Sequence, residues 1–185
     1  MATKTRGAPR SAPKELDAIA LLVADHRKVH ALFDRYNQSD DDGEKGEICQ
    51  QVCAMLTVHA AIEEEIFYPA ARDALDDSDL LDTAEAEHDV ARSLIEQLQE
   101  DDLRLNKRDA TFGALSECVD LHTEEEESEL FAQVRKSSLD LYELADEMRS
   151  RKKELEDELG LADEGDEGDE EEVIDMHFSR MARAR

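Results

Sequence analysis

The sequence predicts an all-α fold, an antiparallel up-down-up-down four-helix bundle followed by an additional C-terminal helix and an acidic disordered tail. The composition favours helices, because Ala, Leu, Glu, Asp and Arg are abundant while the chain has only 4% aromatic residues, seven Gly and three Pro. Apolar residues recur every three or four positions in several successive segments. Short polar breaks separate these segments, as is typical of antiparallel neighbours in a bundle.

The first predicted helix covers residues 16–36, where apolar side chains follow the helical period. Ser11 is its expected N-cap, with Pro13 in the first turn. The polar segment NQSDDDGEKG ends this helix and opens the next one.

The second and third helices are predicted over residues 48–74 and 80–102. The segment LDDSD separates them, and Ser78 or Asp79 is the expected N-cap of the third. The third helix ends at the polar segment RLNKRD.

The fourth and fifth helices are predicted over residues 109–136 and 138–160. Asp109 is the expected N-cap of the fourth helix and Ser138 that of the fifth. Gly160 is expected to end the fifth helix. The pattern leaves open whether the fifth helix packs alongside the bundle or extends beyond it.

The chain therefore divides into a disordered basic arm (1–13), the four-helix bundle (14–137), the fifth helix (138–160) and an acidic low-complexity tail with a short apolar and basic end (161–185). The tail contains DEGDEGDEEE, which cannot bury apolar surface. It serves either solubility, the capture of cations, or the binding of a partner protein.

The charge of −27 in 185 residues disfavours nucleic acid and anionic membranes as partners. No apolar run is long enough to span a bilayer, and the N-terminus lacks the apolar core of a secretory signal. Cys49, Cys53 and Cys118 are expected to be reduced thiols. Together these features predict a cytoplasmic protein.

Four of the six histidines are predicted to lie at one level of the bundle. In an antiparallel hairpin, residues equidistant from the turn lie at the same height. His26 and His59 are equidistant from the first turn, and His88 and His122 from the third. Each of these histidines also continues the apolar stripe of its helix, so all four are expected to point inwards.

Two glutamates join this layer. Glu63 and Glu126 each follow a histidine by four residues, about 6 Å along the same helix face. A buried carboxylate is costly unless it is paired or binds a metal, and no Lys or Arg occupies a matching core position. The layer therefore predicts a metal site. The similar spacing in both halves indicates a duplicated helical hairpin.

Four imidazoles and two carboxylates are too many for one tetrahedral zinc ion. They suit two ions bridged by the carboxylates, and the mixed ligands favour iron, with manganese or zinc as substitutes. Ferritin-like di-iron sites use Glu-x-x-His on two helices, and only Glu85 and His88 show that spacing here.

The order His, His-x-x-x-Glu, His, His-x-x-x-Glu resembles the hemerythrin-like family of HHE cation-binding domains. The matching segments are DHRKVHALF, HAAIEEEIFYP, EHD and HTEEEESELF, within residues 16–136. The resemblance implies a four-helix bundle with an oxo- or hydroxo-bridged di-iron centre. The ligands that it implies are His26, His59, Glu63, His88, His122 and Glu126.

One departure from the family pattern affects the expected function. Oxygen-carrying hemerythrins have a fifth histidine on the third helix, where this sequence has Arg92; His30 is a possible replacement. The resemblance therefore implies binding or reaction with O2, peroxide or nitric oxide rather than reversible oxygen carriage. The alternative is an iron- or oxygen-responsive sensor or interaction module whose folding depends on the metal.

Several residues that neighbour the predicted ligands are expected to be solvated or to serve packing. Glu64, Glu65, Glu124 and Glu127 are expected to be solvated, and Glu125 and Glu129 are candidates for supporting groups or alternate ligands. Tyr68 and Phe131 are expected to serve packing, and Cys118 to be an inert buried thiol.

Overall fold

The computed structural model describes residues 16–75, 79–100 and 104–161, and all regular structure within these ranges is helical. The predicted basic arm, Ser11, Pro13, Ser78 and the tail beyond residue 161 lie outside the described residues. None of the described helices is long and apolar enough to cross a membrane.

The helices form the predicted bundle with one additional helix packed against it. Their bounds are α1 Ala18–Gln38, α2 Asp42–Ile62, α3 Tyr68–Ala74, α4 Asp79–Leu98, α5 Leu105–Glu125, α6 Phe131–Val134 and α7 Leu141–Glu158. Five-residue π-helical turns join α2 to α3 and α5 to α6, over Glu63–Phe67 and Glu126–Leu130. The second and fourth bundle helices are therefore each continuous but widened at one turn.

The start of α1 differs from the sequence prediction. Asp17, not Ser11, is the N-cap, because its side chain accepts a hydrogen bond from the amide of Ala20. A carboxylate at this position also interacts favourably with the helix dipole.

The predicted caps of the fourth and fifth helices are also wrong. Arg104 occupies the N-cap position of α5, five residues before Asp109. Asp109 instead accepts a hydrogen bond from the hydroxyl of Tyr36 at 2.7 Å. Asp140 caps α7 by accepting from two backbone amides, so α7 begins after Asp140 rather than after Ser138.

The fifth helix, α7, packs alongside the bundle. Leu144, Ala145 and Met148 are buried in one core cluster with residues of α1, α3 and α4. The helix ends just before Gly160, whose φ of 67° lies in the left-handed region that favours glycine.

The interior contains two apolar clusters with a polar layer between them. One cluster lies near α7 and includes Leu22, Ile62 and Phe67. The other lies towards the α1–α2 turn and includes Phe33, Val52 and Phe112. The buried histidines and glutamates lie between the two clusters, so apolar packing fixes the layer from both sides.

Candidate metal centre

All six residues predicted as ligands converge in the buried layer. Each is at most 6% exposed: His26, His59, Glu63, His88, His122 and Glu126. The structure therefore brings together the complete predicted set, with two bundle helices contributing one histidine each and two contributing a histidine and a glutamate.

The histidines form two pairs, and each glutamate contacts one member of each pair. The Nε2 atoms of His26 and His59 are 3.1 Å apart, and those of His88 and His122 are 3.3 Å apart. Glu63 Oε2 lies 3.2 Å from Nε2 of His59 and 3.3 Å from that of His88. Glu126 Oε2 lies 3.4 Å from Nε2 of His122 and 3.5 Å from that of His26. Each glutamate therefore lies within reach of both histidine pairs.

The outer nitrogens of three histidines contact carboxylates. His26 Nδ1 lies 2.9 Å from Glu127, His88 Nδ1 lies 2.7 Å from Glu64, and His122 Nδ1 lies 3.0 Å from Glu87. An Nδ1–H that donates to a carboxylate leaves the lone pair on Nε2, the tautomer that binds metal. Glu64 and Glu127, which were expected to be solvated, are partly exposed but also contact histidines of the layer, and sequence reasoning missed Glu87.

The inward-facing atoms fit a cation. With Nδ1 protonated on His88 and His122, their Nε2 lone pairs face each other across 3.3 Å. Glu63 Oε1 and Glu126 Oε2 are buried without a hydrogen-bond partner. Such a concentration of acceptors is unfavourable unless a positive charge lies among them. Two groups within the described residues are compact enough to hold an ion, one with His26, His59, Glu63 and Glu126, the other with Glu63, His88 and His122.

His59 differs from the other three histidines. Its buried Nδ1 has no hydrogen-bond partner, and the nearest carboxylate oxygen, on Asp25, is 3.7 Å away. Lys152 of α7 instead contacts both oxygens of Asp25, at 2.5 and 2.7 Å. Burial alone would raise the pKa of Asp25, but His59 and Lys152 together lower it to about 2. A charged pair from α1 and α7 thus lies directly behind His59.

Tyr68 is part of the site rather than only a packing residue. Its hydroxyl donates to Glu126 Oε1 at 2.9 Å and lies 3.5 Å from Glu63 Oε2. Burial and the neighbouring carboxylates raise the pKa of Tyr68 well above its ordinary value, so the hydroxyl keeps its proton. Phe131, the equivalent residue in the second half, packs against the ring of His26 as expected.

Both glutamates of the layer, Glu63 and Glu126, stand at the first position of a π-helical turn. Turns of this kind are rare and frequently occur at functional sites. Pro69 follows the first π turn, but Ala132 occupies the equivalent position after the second. Proline is therefore not the shared cause, and no local pattern in the sequence indicated the two turns.

The residues that the sequence suggested as alternate ligands lie outside the layer. His30 is engaged with Asp120 and Thr123, at 3.0 and 3.1 Å. Glu129 is exposed, and Glu125 belongs to neither cation-binding group of the described residues. Arg92, at the position of the fifth histidine, pairs with Glu64 and Asp89.

A cavity of about 260 Å³ opens onto the layer. Its walls include all four histidines, apolar side chains such as Leu56, Ala91 and Val119, and the thiol of Cys118. Burial raises the pKa of Cys118, so the thiol is not activated there. The cavity gives small, uncharged molecules a route to the inward-facing nitrogens.

We expect the metal-free protein to be most stable between about pH 4.5 and 6.5. Burial lowers the pKa of His59 from 6.5 to about 4 and that of His122 to about 2. The contribution of these two histidines to the free energy of unfolding is therefore fully present above pH 6.5 and is lost as the pH falls. Burial raises the pKa of Glu63 and Glu126 well above 4.5. The contribution of these two glutamates to the free energy of unfolding is therefore fully present below pH 4.5 and is lost as the pH rises.

Urea denaturation of the metal-free protein across pH 4 to 9 measures this dependence. The metal-bound form should instead gain stability up to at least neutral pH, because metal binding requires deprotonated ligands. A metal-free protein that becomes steadily more stable from pH 6 to 9 would contradict the assigned burial of the two glutamates.

Comparisons with known proteins agree with this geometry. The family model of the hemerythrin HHE cation-binding domain matches residues 17–134. A DNA nickase from a Nostoc species is 30% identical over 142 residues, which cover 76% of this chain but only 40% of the nickase. A solved hemerythrin HHE cation-binding domain-containing protein from Mycobacterium kansasii superposes with a TM-score of 0.65 at 17% identity, covering 82% of this chain and 94% of that one. The chain belongs to the hemerythrin HHE cation-binding family.

Proposed function

We propose that this protein holds two iron ions and reacts with O2, peroxide or nitric oxide at the cavity. The observation that carries the proposal is the pairing of the histidines, all four of which line an open cavity, with each glutamate shared between the pairs. Two shared carboxylates suit two ions held close together better than one ion. We further propose the cytoplasm as its location.

Iron is the metal that the donor set favours. Mixed imidazole and carboxylate ligands suit iron, whereas soft metals would favour thiolates. Cys118 reaches only the cavity wall and Cys49 and Cys53 lie in the apolar cluster towards the α1–α2 turn, so thiolates do not compete.

The ligand count favours reaction over reversible oxygen carriage. Six protein ligands shared between two ions leave coordination positions for a small molecule, and Arg92 is tied to Glu64 and Asp89 rather than to the layer. A redox-active iron pair held by these residues would supply Lewis acidity and electrons for reaction with a small molecule.

The residues around the layer orient the ligands and manage protons. Glu64, Glu87 and Glu127 fix the tautomers of three histidines from outside. The hydroxyl of Tyr68 positions Glu126 and keeps a proton within 3.5 Å of both carboxylates. The cavity wall combines apolar side chains with charged ones such as Asp25, Glu87 and Arg92.

Oxygen release from hydrogen peroxide tests this function. Two peroxide molecules yield one O2 and two water molecules, one peroxide being oxidised and the other reduced. Iron-loaded protein should release O2, and His59→Ala should lower the rate at least ten-fold because one ligand of the first pair is lost. Lys153→Met, at an exposed position on α7, is the control.

Two outcomes would overturn peroxide turnover as the activity. One is iron-loaded protein that releases no O2. The other is nicking of supercoiled plasmid DNA that depends on His59 without peroxide consumption, which would favour the activity named for the Nostoc relative. We expect no nicking, because the charge of −27 repels DNA phosphates.

The second candidate function is a metal-dependent sensor. The buried atoms of Glu63 and Glu126 that lack partners favour it, because they make the stability of the bundle depend on the metal. In that case the C-terminal tail would be the segment that presents the metal state to a protein partner.

A further inference from the structure

We propose that Lys152 is a positioning residue of the metal centre, acting through Asp25 on His59. Lys152 lies on α7, outside the residues matched by the family model. The inference rests on the proposed function to the extent that the layer must bind metal. It gives α7, the helix that packs against the four-helix bundle, a role in the metal centre.

His59 requires a particular tautomer to bind metal. Its Nε2 must carry the lone pair, so its Nδ1 must carry the proton and needs an acceptor. Without an acceptor at Nδ1, the proton can lie on Nε2 and be donated to Nε2 of His26, 3.1 Å away. The other three histidines have carboxylates within 3.0 Å of Nδ1, so this ambiguity is particular to His59.

Asp25 is the nearest acceptor for that proton. Its side chain is only 7% exposed, and Oδ2 lies 3.7 Å from Nδ1 of His59, within a small shift of hydrogen-bonding distance. A buried carboxylate at this place needs a cation beside it, since burial of an unpaired charge is strongly unfavourable. Lys152 is that cation, and it contacts both carboxylate oxygens.

The position of α7 is fixed well enough for Lys152 to act in this way. Arg151 pairs with Glu65 at 2.6 Å, and Arg149 donates to the backbone carbonyl of Leu16 at 2.9 Å. Buried Leu144 and Met148 anchor the preceding turns of the same helix. The ammonium group is therefore delivered to Asp25 by packing and by two further polar contacts.

Anaerobic titration of the full chain with Fe²⁺, monitored by isothermal titration calorimetry, tests the proposal. The wild-type chain should bind two ions. Lys152→Met should weaken one of them about ten-fold, as for other groups that orient metal ligands. The neighbouring Lys153→Met, at an exposed position, should bind both ions as the wild type does.

A double-mutant cycle with Asp25→Asn separates this role from a general structural one. If Lys152 acts through Asp25, Lys152→Met should cause no further loss in the Asp25→Asn background. Lys152→Arg keeps the charge and should bind more tightly than Lys152→Met. It also provides a folded variant for comparison if Lys152→Met is unstable.

The outcomes distinguish the two claims. A wild-type chain that binds no iron overturns the proposed function itself. Only the role of Lys152 is overturned if the wild-type chain binds two ions and the Lys152→Met variant binds both at least as tightly as the wild type does. An undiminished effect of Lys152→Met in the Asp25→Asn background also overturns it.

Discussion

Replacing Glu63 with glutamine should abolish the paired metal centre while making the metal-free bundle more stable. Glu63 belongs to both cation-binding groups, and its carboxylate contacts a histidine of each pair. A neutral amide binds cations far more weakly than a carboxylate. We expect the affinity for the second ion to fall at least about a hundred-fold, about 2.7 kcal/mol.

The gain in the metal-free form follows from the same contacts. Burial raises the pKa of Glu63, and its Oε1 atom has no hydrogen-bond partner. The amide of glutamine can donate to Nε2 of His88, whose proton lies on Nδ1 towards Glu64, and it carries no charge to bury. We expect the free energy of unfolding of the metal-free protein at neutral pH to rise by roughly 1–3 kcal/mol.

Metal analysis and urea denaturation of both forms measure these opposite effects. Glu129→Gln is the matched control, because Glu129 lies in the second π turn but is exposed. It should change neither quantity. A Glu63→Gln protein that still binds two ions, or whose metal-free form is less stable than the wild type, would contradict the assigned role.

Metal loading should produce the other large effect, a strong rise in the stability of the wild-type chain. An ion at a free concentration a thousand-fold above its Kd adds about 4 kcal/mol to the free energy of unfolding. Two independent ions would add about 8 kcal/mol, provided that the unfolded chain binds neither. For a chain of this size, each kcal/mol corresponds to roughly 2–4 °C in Tm.

Differential scanning calorimetry of metal-free and iron-loaded protein measures this difference. Exchange of backbone amides should slow most in α2 and α5 and the π turns that follow them, because each of these segments contributes both a histidine and a glutamate. The sensor hypothesis depends on this result, since a bundle equally stable with and without metal cannot report occupancy through folding.

The bundle and the six converging residues followed from spacing along the chain. Histidines equidistant from a turn lie at the same height in an antiparallel hairpin, and the apolar stripe of each helix indicates that His26 and His59 both face inwards. Spacing did not identify the N-caps Asp17 and Asp140. Several residues near each helix start can act as a cap, and the choice depends on where tertiary packing starts the helix.

The surroundings of the layer depended on contacts between distant segments. Lys152 and Asp25 are 127 positions apart, and the periodicity of α7 does not specify which face of the bundle it meets. The two π turns had no local signal in the sequence. Tyr68 follows the first of them and contacts both carboxylates, although the sequence indicated only a packing residue.

Anomalous diffraction at the iron edge from crystals of iron-loaded protein would locate the bound metal directly. Two iron peaks are expected roughly 3.5–4 Å apart, as in two-metal sites of other proteins. One peak should lie beside His26 and His59 and the other beside His88 and His122, with Glu63 and Glu126 between them. A single peak, or iron bound only outside this layer, would contradict the claim that the four histidines and two glutamates form a paired metal centre.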